Sequence, residues 1–396
     1  MCLFSKTKTF AIATAIALLS ISTAPAQFTA PTNARVDALA GAHVSDISGI
    51  YRYPVMMTGY LDHVQATWGQ GFVGVKSVSS MFSFGVLANQ GPLAPVFTAA
   101  AVGRLNGYAF PAGLGAGNFN DNLVIPHLLL GFDLGAAAIG ADVFLEYAGY
   151  SASNGTDDVS GSITHPGARL SGKFGVADAE VMVKIGLGAP SVSASGVAGS
   201  DKLTSNAGLY LETGAEAGMS LGGADWVLGA CYTRSNHRFA LGNAADPNAT
   251  AYSLLNVYLG VEFNFVETAV AAAGYSLNRS NSVTSQPDVS GSPSQQFPID
   301  YSHSLYAGLE NAWENAWIFD SFQLRGGALY TITSTGGKPS DNTNYAQPAI
   351  HSTVQPVVGI GVSKAFATID LSLNPGAWGG LVTGPDVALV TATIKF

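Results

Sequence analysis

Residues 386–396 read D-V-A-L-V-T-A-T-I-K-F and set the problem that the rest of the chain has to answer. Side chains of a strand point alternately to its two faces. Ala388, Val390, Ala392, Ile394 and Phe396 therefore share one face, and Leu389, Thr391, Thr393 and Lys395 the other. A terminal strand that is apolar on one side and ends on an aromatic suits a closed membrane barrel, whose last strand must seal against its first. Phe396 is the expected barrel-closing signal, and the barrel-assembly machinery is an expected partner of the chain. The working expectation is a transmembrane, antiparallel, up-and-down β-barrel.

Composition agrees with a chain that is apolar without being continuously so. Only 11% of the 396 residues are charged, Gly is abundant at 47, and mean hydropathy is +0.27. The best helical candidate, residues 123–147, carries Pro126, His127, Asp133 and Asp142, which a lipid-facing helix tolerates poorly. Barrel strands produce this composition because lipid-facing and lumen-facing residues take turns. The competing reading is an exported soluble β-sandwich or β-helix.

The connections favour the barrel. Strands are expected at 61–69, 71–78, 81–89, 123–133, 135–150, 161–174, 177–188, 205–219, 226–236, 256–266, 302–311, 321–333, 357–364, 367–373 and at the C-terminus, about 14 and within 14–16 in all. Short turns at 174–177, 219–225, 266–267, 311–318 and 364–366 alternate with polar loops at 151–160, 189–204, 240–251, 281–298 and 334–351. An up-and-down barrel with short turns at one end and long loops at the other does this, whereas a Greek-key sandwich has no reason to. Trp226, Tyr232, Tyr252, Tyr275, Trp313, Trp317 and Tyr330 fall near strand ends, as boundary aromatics do, while Tyr258 and Tyr306 fall mid-strand on the lumen side.

Residues 1–26 read as an export signal: Lys6 and Lys8, an apolar run at 10–21, then Ala24-Pro25-Ala26 before the cleavage point. The run is too short to cross a bilayer as a helix. Cleavage takes Cys2 away, leaves Cys231 alone without a disulfide partner, and makes the chain two charges more acidic than the −9 of the full sequence. That balance excludes nucleic acid, whose phosphates require clustered Lys and Arg.

Residues 27–60 do not alternate. Asn33-Ala34-Arg35, then Gly41-Ala42, Asp46 and Pro54, resemble the N-terminal segment of the outer-membrane long-chain fatty-acid transporter family and its type IX secretion relatives. Tyr53 and Val55 depart from that pattern, in which Asn and Ala are usual. The resemblance implies that this segment folds as a hatch inside the barrel formed by residues 61–396. The alternative is a disordered linker. It further implies an apolar substrate path lined by Ile50, Tyr51, Val55, Met56 and Met57, unless these side chains serve only to pack the segment against the wall.

Projecting the strands turns Asp142, Glu146, Asp178, Glu180, Lys184, Glu212, Glu216, Glu262, Glu310, Arg325, Asp370 and Lys395 inward. Such an acidic lumen reads either as a pore biased toward cations or as a wall whose acids are balanced by segment residues such as Arg35 and Arg52. Catalytic signals are weak: there is no G-x-S-x-G, H-E-x-x-H or C-x-x-C, and the seven histidines lack metal-ligand spacing. The G-L-G-A-G at 113–117 lacks the Lys of a phosphate loop. The expectation is therefore a non-enzymatic outer-membrane barrel of a Gram-negative cell, without cofactor or metal. Outer-membrane lipid surrounds it, and it takes up a small, hydrophobic molecule passively. Alternatives are a secretion-associated anchor that transports nothing and a general hydrophilic porin.

Overall fold

The computed structural model describes residues 34–39, 47–67, 71–88, 126–153, 158–176, 179–195, 202–241, 244–266, 268–284, 296–336, 349–373 and 388–396. The strands are β1 (His63–Thr67), β2 (Gly71–Ser77), β3 (Phe82–Ala88), β4 (Pro126–Asp133), β5 (Ala137–Ser153), β6 (Asp158–Val176), β7 (Ala179–Gly188), β8 (Ser191–Ser195) and β9 (Lys202–Leu221). There follow β10 (Ala224–Leu241), β11 (Ala244–Val266), β12 (Ala269–Thr284), β13 (Gln296–Glu314), β14 (Ser321–Gly336), β15 (Ala349–Lys364), β16 (Ala367–Leu373) and β17 (Ala388–Lys395). Neighbours pair antiparallel, and β1 meets β17 from His63↔Lys395 to Thr67↔Thr391, so the sheet closes and has no edge.

Both β7 and β8 lie between β6 and β9, parted at Ala189 and at Pro190, which has no N–H to give to a ladder. The seventeen segments thus fill sixteen places in the barrel, not about fourteen. The strand missing from the sequence reading is β12. Its outward positions Ala271 and Ala273, paired with Leu309 and Ala307, are too small to announce a hydrophobic period.

Strands also run further than expected. The loops read at 151–160 and 240–251 are mostly ladder, since β5 reaches Ser153, β6 begins at Asp158, β10 ends at Leu241 and β11 begins at Ala244. These extensions are mostly polar and small residues without a hydrophobic period of two, so the sequence does not mark them as strand. The export signal at 1–26 and the Gly/Pro-rich stretch at 90–122 lie outside the described residues, as does the G-L-G-A-G motif within it.

The wall alternates as a barrel in lipid requires. On β5, Ile139, Val143 and Leu145 are exposed on the outside while Ala138, Asp142 and Phe144 are buried within. Three inner rings lie flat against the glycine directly opposite on the next strand: Tyr258 on Gly229, Tyr306 on Gly274 and Phe144 on Gly167. A Cβ at any of these glycines would occupy the ring's own space.

Residues 34–39 and 47–60 pack on the inner face. They form α1 (Ala34–Ala38), α2 (Gly49–Arg52) and a 3-10 turn, Pro54–Gly59. Pro54 opens that turn, where its missing N–H costs nothing, and it holds Tyr53 extended at φ −132° and ψ 103°. Ile50, Tyr53, Val55 and Met57 are fully buried.

The segment passes into the wall at Asp62, which sits in the left-handed region at φ 60°. Its backbone carbonyl accepts a hydrogen bond from the Phe396 N–H at 2.9 Å, and its carboxylate accepts from Lys76 Nζ at 2.6 Å and from Ser77 N and Oγ. Lys76 Nζ also lies 4.9 Å above the Phe396 ring. Burial alone would raise the Asp62 carboxyl, but the hydrogen bonds from Lys76 and Ser77 hold it below its ordinary value. A depressed acid stabilises the fold above its unfolded pKa of about 3.9 and loses that contribution as pH falls through the folded value. Acidification below about pH 4 should therefore lower amide protection, the exchange rate taken relative to the intrinsic rate, at Ser77 and Phe396 first, and Asp62→Asn should abolish that pH dependence. Exchange that responds equally in both proteins would show that the carboxylate does not hold this seam.

Candidate functional site

Two ionic clusters join the N-terminal segment to the inner wall. In the first, the Arg35 guanidinium on α1 donates through Nε and Nη2 to both Glu310 oxygens on β13 at 3.0 Å. Arg325 on β14 also donates to Glu310, and to Asp370 Oδ1 on β16 at 2.6 Å. The chain is completed by Ser372, which donates to Asp37, and by Ala34 N, which donates to Thr391 Oγ1 at 2.9 Å.

The second cluster surrounds α2 and the turn. Arg52 donates to Glu216 on β9 at 3.1 Å, and the hydroxyl of Tyr258 on β11 donates to the same oxygen. Arg169 on β6 donates to Asp142 Oδ2 through Nε at 2.7 Å and reaches the Tyr51 carbonyl with Nη1 at 2.7 Å. His127 Nδ1 on β4 donates to Asp142 from 2.9 Å. Lys184 on β7 pairs with Glu212, which also accepts from Tyr210 at 3.1 Å, and the Lys184 ammonium stands 5.2 Å from the Tyr53 ring centre. Val55 N donates to Ser171 Oγ at 2.8 Å.

Glycines let the backbone of the segment approach. A Cβ at Gly308 would come within 2.9 Å of Leu39 Cα, and one at Gly140 would fall on the backbone of Pro54 and Val55. Between the clusters, Ile47, Ile50, Tyr51 and Met57 meet Val73, Val75, Leu87 and Leu129 of β2, β3 and β4, with Met56 at the margin. It is one of several apolar contacts of the segment, which also joins Leu39 to Ala272, Tyr306 and Val357, and Tyr53 and Val55 to Ala138 and Met182.

Of the acids projected inward, Asp142, Glu180, Glu212, Glu216, Glu310 and Asp370 each meet a cation, Glu180 through Lys173 at 3.0 Å. Lys184 and Arg325 supply two of those cations. Glu262 is half-buried on β11 and Lys395 is exposed beside the chain end. The Glu146 side chain and all of Asp178 lie outside the described residues. Sequence reasoning missed Arg169, His127, His165 and Tyr210. His165, Gly167, Arg169 and Ser171 alternate on β6, a period that Pro166 and the glycines obscured. The rings of His127, Phe144, His165 and Tyr210 form a ladder along the wall, with centroids 5.1 to 5.3 Å apart.

Among the described residues no three His, Cys, Asp or Glu side chains converge as metal ligands, and no helix is long and apolar enough to cross a membrane. No known family model matches the sequence, and no curated protein sequence matches it. Several solved barrels are similar in structure. The CymD monoaromatic hydrocarbon channel shares 12% identity over 92% of this chain and 97% of its own, with a TM-score of 0.41. The Pseudomonas putida toluene transporter TodX shares 12% over 93% and 99%, also at 0.41. CdiB from Escherichia coli shares 11% over 84% of this chain and 62% of its own, again at 0.41.

Proposed function

We propose that the chain is an exported outer-membrane barrel that passes small hydrophobic molecules without covalent chemistry, its N-terminal segment serving as a plug seated in the lumen. The observation that carries this reading is the apolar seam of Ile47, Ile50, Tyr51 and Met57 against Val73, Val75, Leu87 and Leu129, flanked by wall acids that are paired with cations. A solute that needs no hydrogen bonds loses least along such a seam, and the adaptable thioethers of Met56 and Met57 suit varied apolar shapes. A hydrated ion or sugar finds no equivalent, because the charged groups beside the segment already satisfy one another. Residues 1–26 would be removed on export.

The test compares the mature chain with a form lacking residues 27–60 in a lipopolysaccharide-containing outer membrane and in swelling liposomes. The intact chain should admit a hydrophobic fluorophore but give no swelling in arabinose, whereas the truncated form should swell. Swelling by the intact chain would identify a hydrophilic porin. If neither form passes the fluorophore or the sugar, the anchor reading replaces this one.

A further inference from the structure

One row of the inner wall carries a polar atom that the fold leaves unused. The pairing sets Leu87 on β3, His127 on β4 and Phe144 on β5 side by side at a single level. Leu129 follows two residues along β4, and both leucines belong to the seam that meets Ile50 and Met57. His127 therefore stands at the margin of that seam, with its side chain fully buried. Its Nε2 has no hydrogen-bond partner among the described residues. Native folds keep few such atoms, because a buried acceptor without a donor is costly.

The other ring nitrogen fixes what Nε2 can do. His127 Nδ1 lies 2.9 and 3.0 Å from the two Asp142 oxygens, and Asp142 also accepts from Arg169 Nε at 2.7 Å. An ionised carboxylate only accepts, so the ring hydrogen sits on Nδ1 and Nε2 presents its lone pair. A lone pair among apolar side chains selects between solutes. A hydrocarbon brings it no polar hydrogen. A carboxylate brings only acceptors and a negative charge toward Asp142, and an ammonium brings a positive charge to an acid already met by Arg169. A neutral hydroxyl supplies the one hydrogen required, on a body that can otherwise be apolar. The Phe144 ring, its centre 5.3 Å from that of His127 and tilted by 33°, offers that body an aromatic neighbour.

We infer that His127 Nε2 accepts the hydroxyl of a small phenol, so that phenols are held more tightly along the seam than hydrocarbons of the same shape. The inference rests on the reading of the seam as a path for hydrophobic molecules, and adds the polar group that discriminates among them. Because His127 is covered on all sides, the solute reaches Nε2 by turning a neighbour aside. Phe144 is suited to this, since it has no hydrogen bond to lose and lies over Gly167, which has no side chain to wedge it in place.

The experiment measures binding of 2-naphthol, 2-methoxynaphthalene and naphthalene to the full mature chain in phosphatidylcholine vesicles. Each affinity is referred to that solute's own partition into protein-free vesicles. The native chain should favour 2-naphthol over the other two by about tenfold, the scale of one satisfied buried acceptor. His127→Phe should bring the three solutes within about twofold of one another while still binding naphthalene, and His127→Gln, whose amide oxygen can accept, should recover part of the preference. The comparison of naphthol with its methyl ether needs no variant, so it stands even if a substitution prevents folding. Naphthalene and naphthol bound equally by the native chain would overturn the acceptor assignment and leave the hydrophobic path standing, as would a preference that survives in His127→Phe. Failure of all three solutes to bind the native chain would overturn the path as well.

Discussion

Gly140→Leu should unseat the N-terminal segment while leaving every charged residue in place. Gly140 faces the lumen on β5, and the position of its absent Cβ falls on the backbone of Pro54 and Val55, which cannot rotate away as a side chain could. Overpacking a fitted contact costs about 1–3 kcal/mol, and a backbone collision stands at or above the top of that range. Such a cost shifts the ratio of seated to unseated segment roughly 5- to 150-fold. The native thiol reports the change, because Cys231 is half-buried on the inner face, with its Sγ crowding Gly214 beside Lys184, the residue that covers Tyr53. Labelling of Cys231 by a water-soluble maleimide should rise by a factor within that range, and single-channel conductance should rise with it. Gly326→Leu is the matched control, since its Cβ would come no nearer than 4.0 Å to any neighbour. Equal labelling of the two variants would mean that the segment does not depend on close approach to the wall.

Unseating should also change ion preference, and here the structure departs from a count of charges. The sequence projects more acids than bases inward, which by itself suggests a pore attractive to cations. In the barrel Glu216 and Glu310 are met by Arg52 and Arg35, which arrive from the segment and not from the strands. The sequence reading offers Arg35 and Arg52 as balancing groups, but which acid each one meets is set by the fold, because the pairs span 164 and 275 positions of sequence. The same holds for the tyrosines on glycine. Tyr258 and Tyr306 are recognisable as inward from their strands alone, but Gly229 and Gly274 become their partners only through the register between strands.

What could be read from sequence was the wall wherever one face is apolar, as in the outward Leu259, Val261 and Phe263 of β11. The reading failed where that contrast is absent. It missed β12, whose outward alanines are small, and it took for loops the polar ends of β5, β6, β10 and β11, where neither face is hydrophobic enough to impose a period. Arg169 was overlooked because an alternating set made of His, Gly, Arg and Ser carries no hydropathy signal.

Arg169→Met should be among the most destabilising single substitutions in the chain. Both Arg169 and Asp142 have side chains at 0% exposure, so removal of the guanidinium leaves a carboxylate buried with only His127 beside it. Breaking one side of a buried pair costs about 3–5 kcal/mol, whereas a surface pair contributes about 0–1 kcal/mol. Lys364→Met, which breaks the exposed pair with Asp320, provides the comparison. Urea unfolding in thin bilayers, followed by tryptophan fluorescence, should separate the two variants by several kcal/mol. Adding Asp142→Asn to Arg169→Met should recover part of the loss, because an amide tolerates burial better than an unpaired charge. The recovery should be incomplete, since Arg169 also donates to the Tyr51 carbonyl at 2.7 Å and ties the segment to β6. That remaining deficit, about 1.5–3 kcal/mol for a hydrogen bond from a charged donor, should disappear in the form lacking residues 27–60, where Tyr51 is gone. A deficit that persists there would place the whole cost of losing Arg169 within the wall and remove its role in holding the segment.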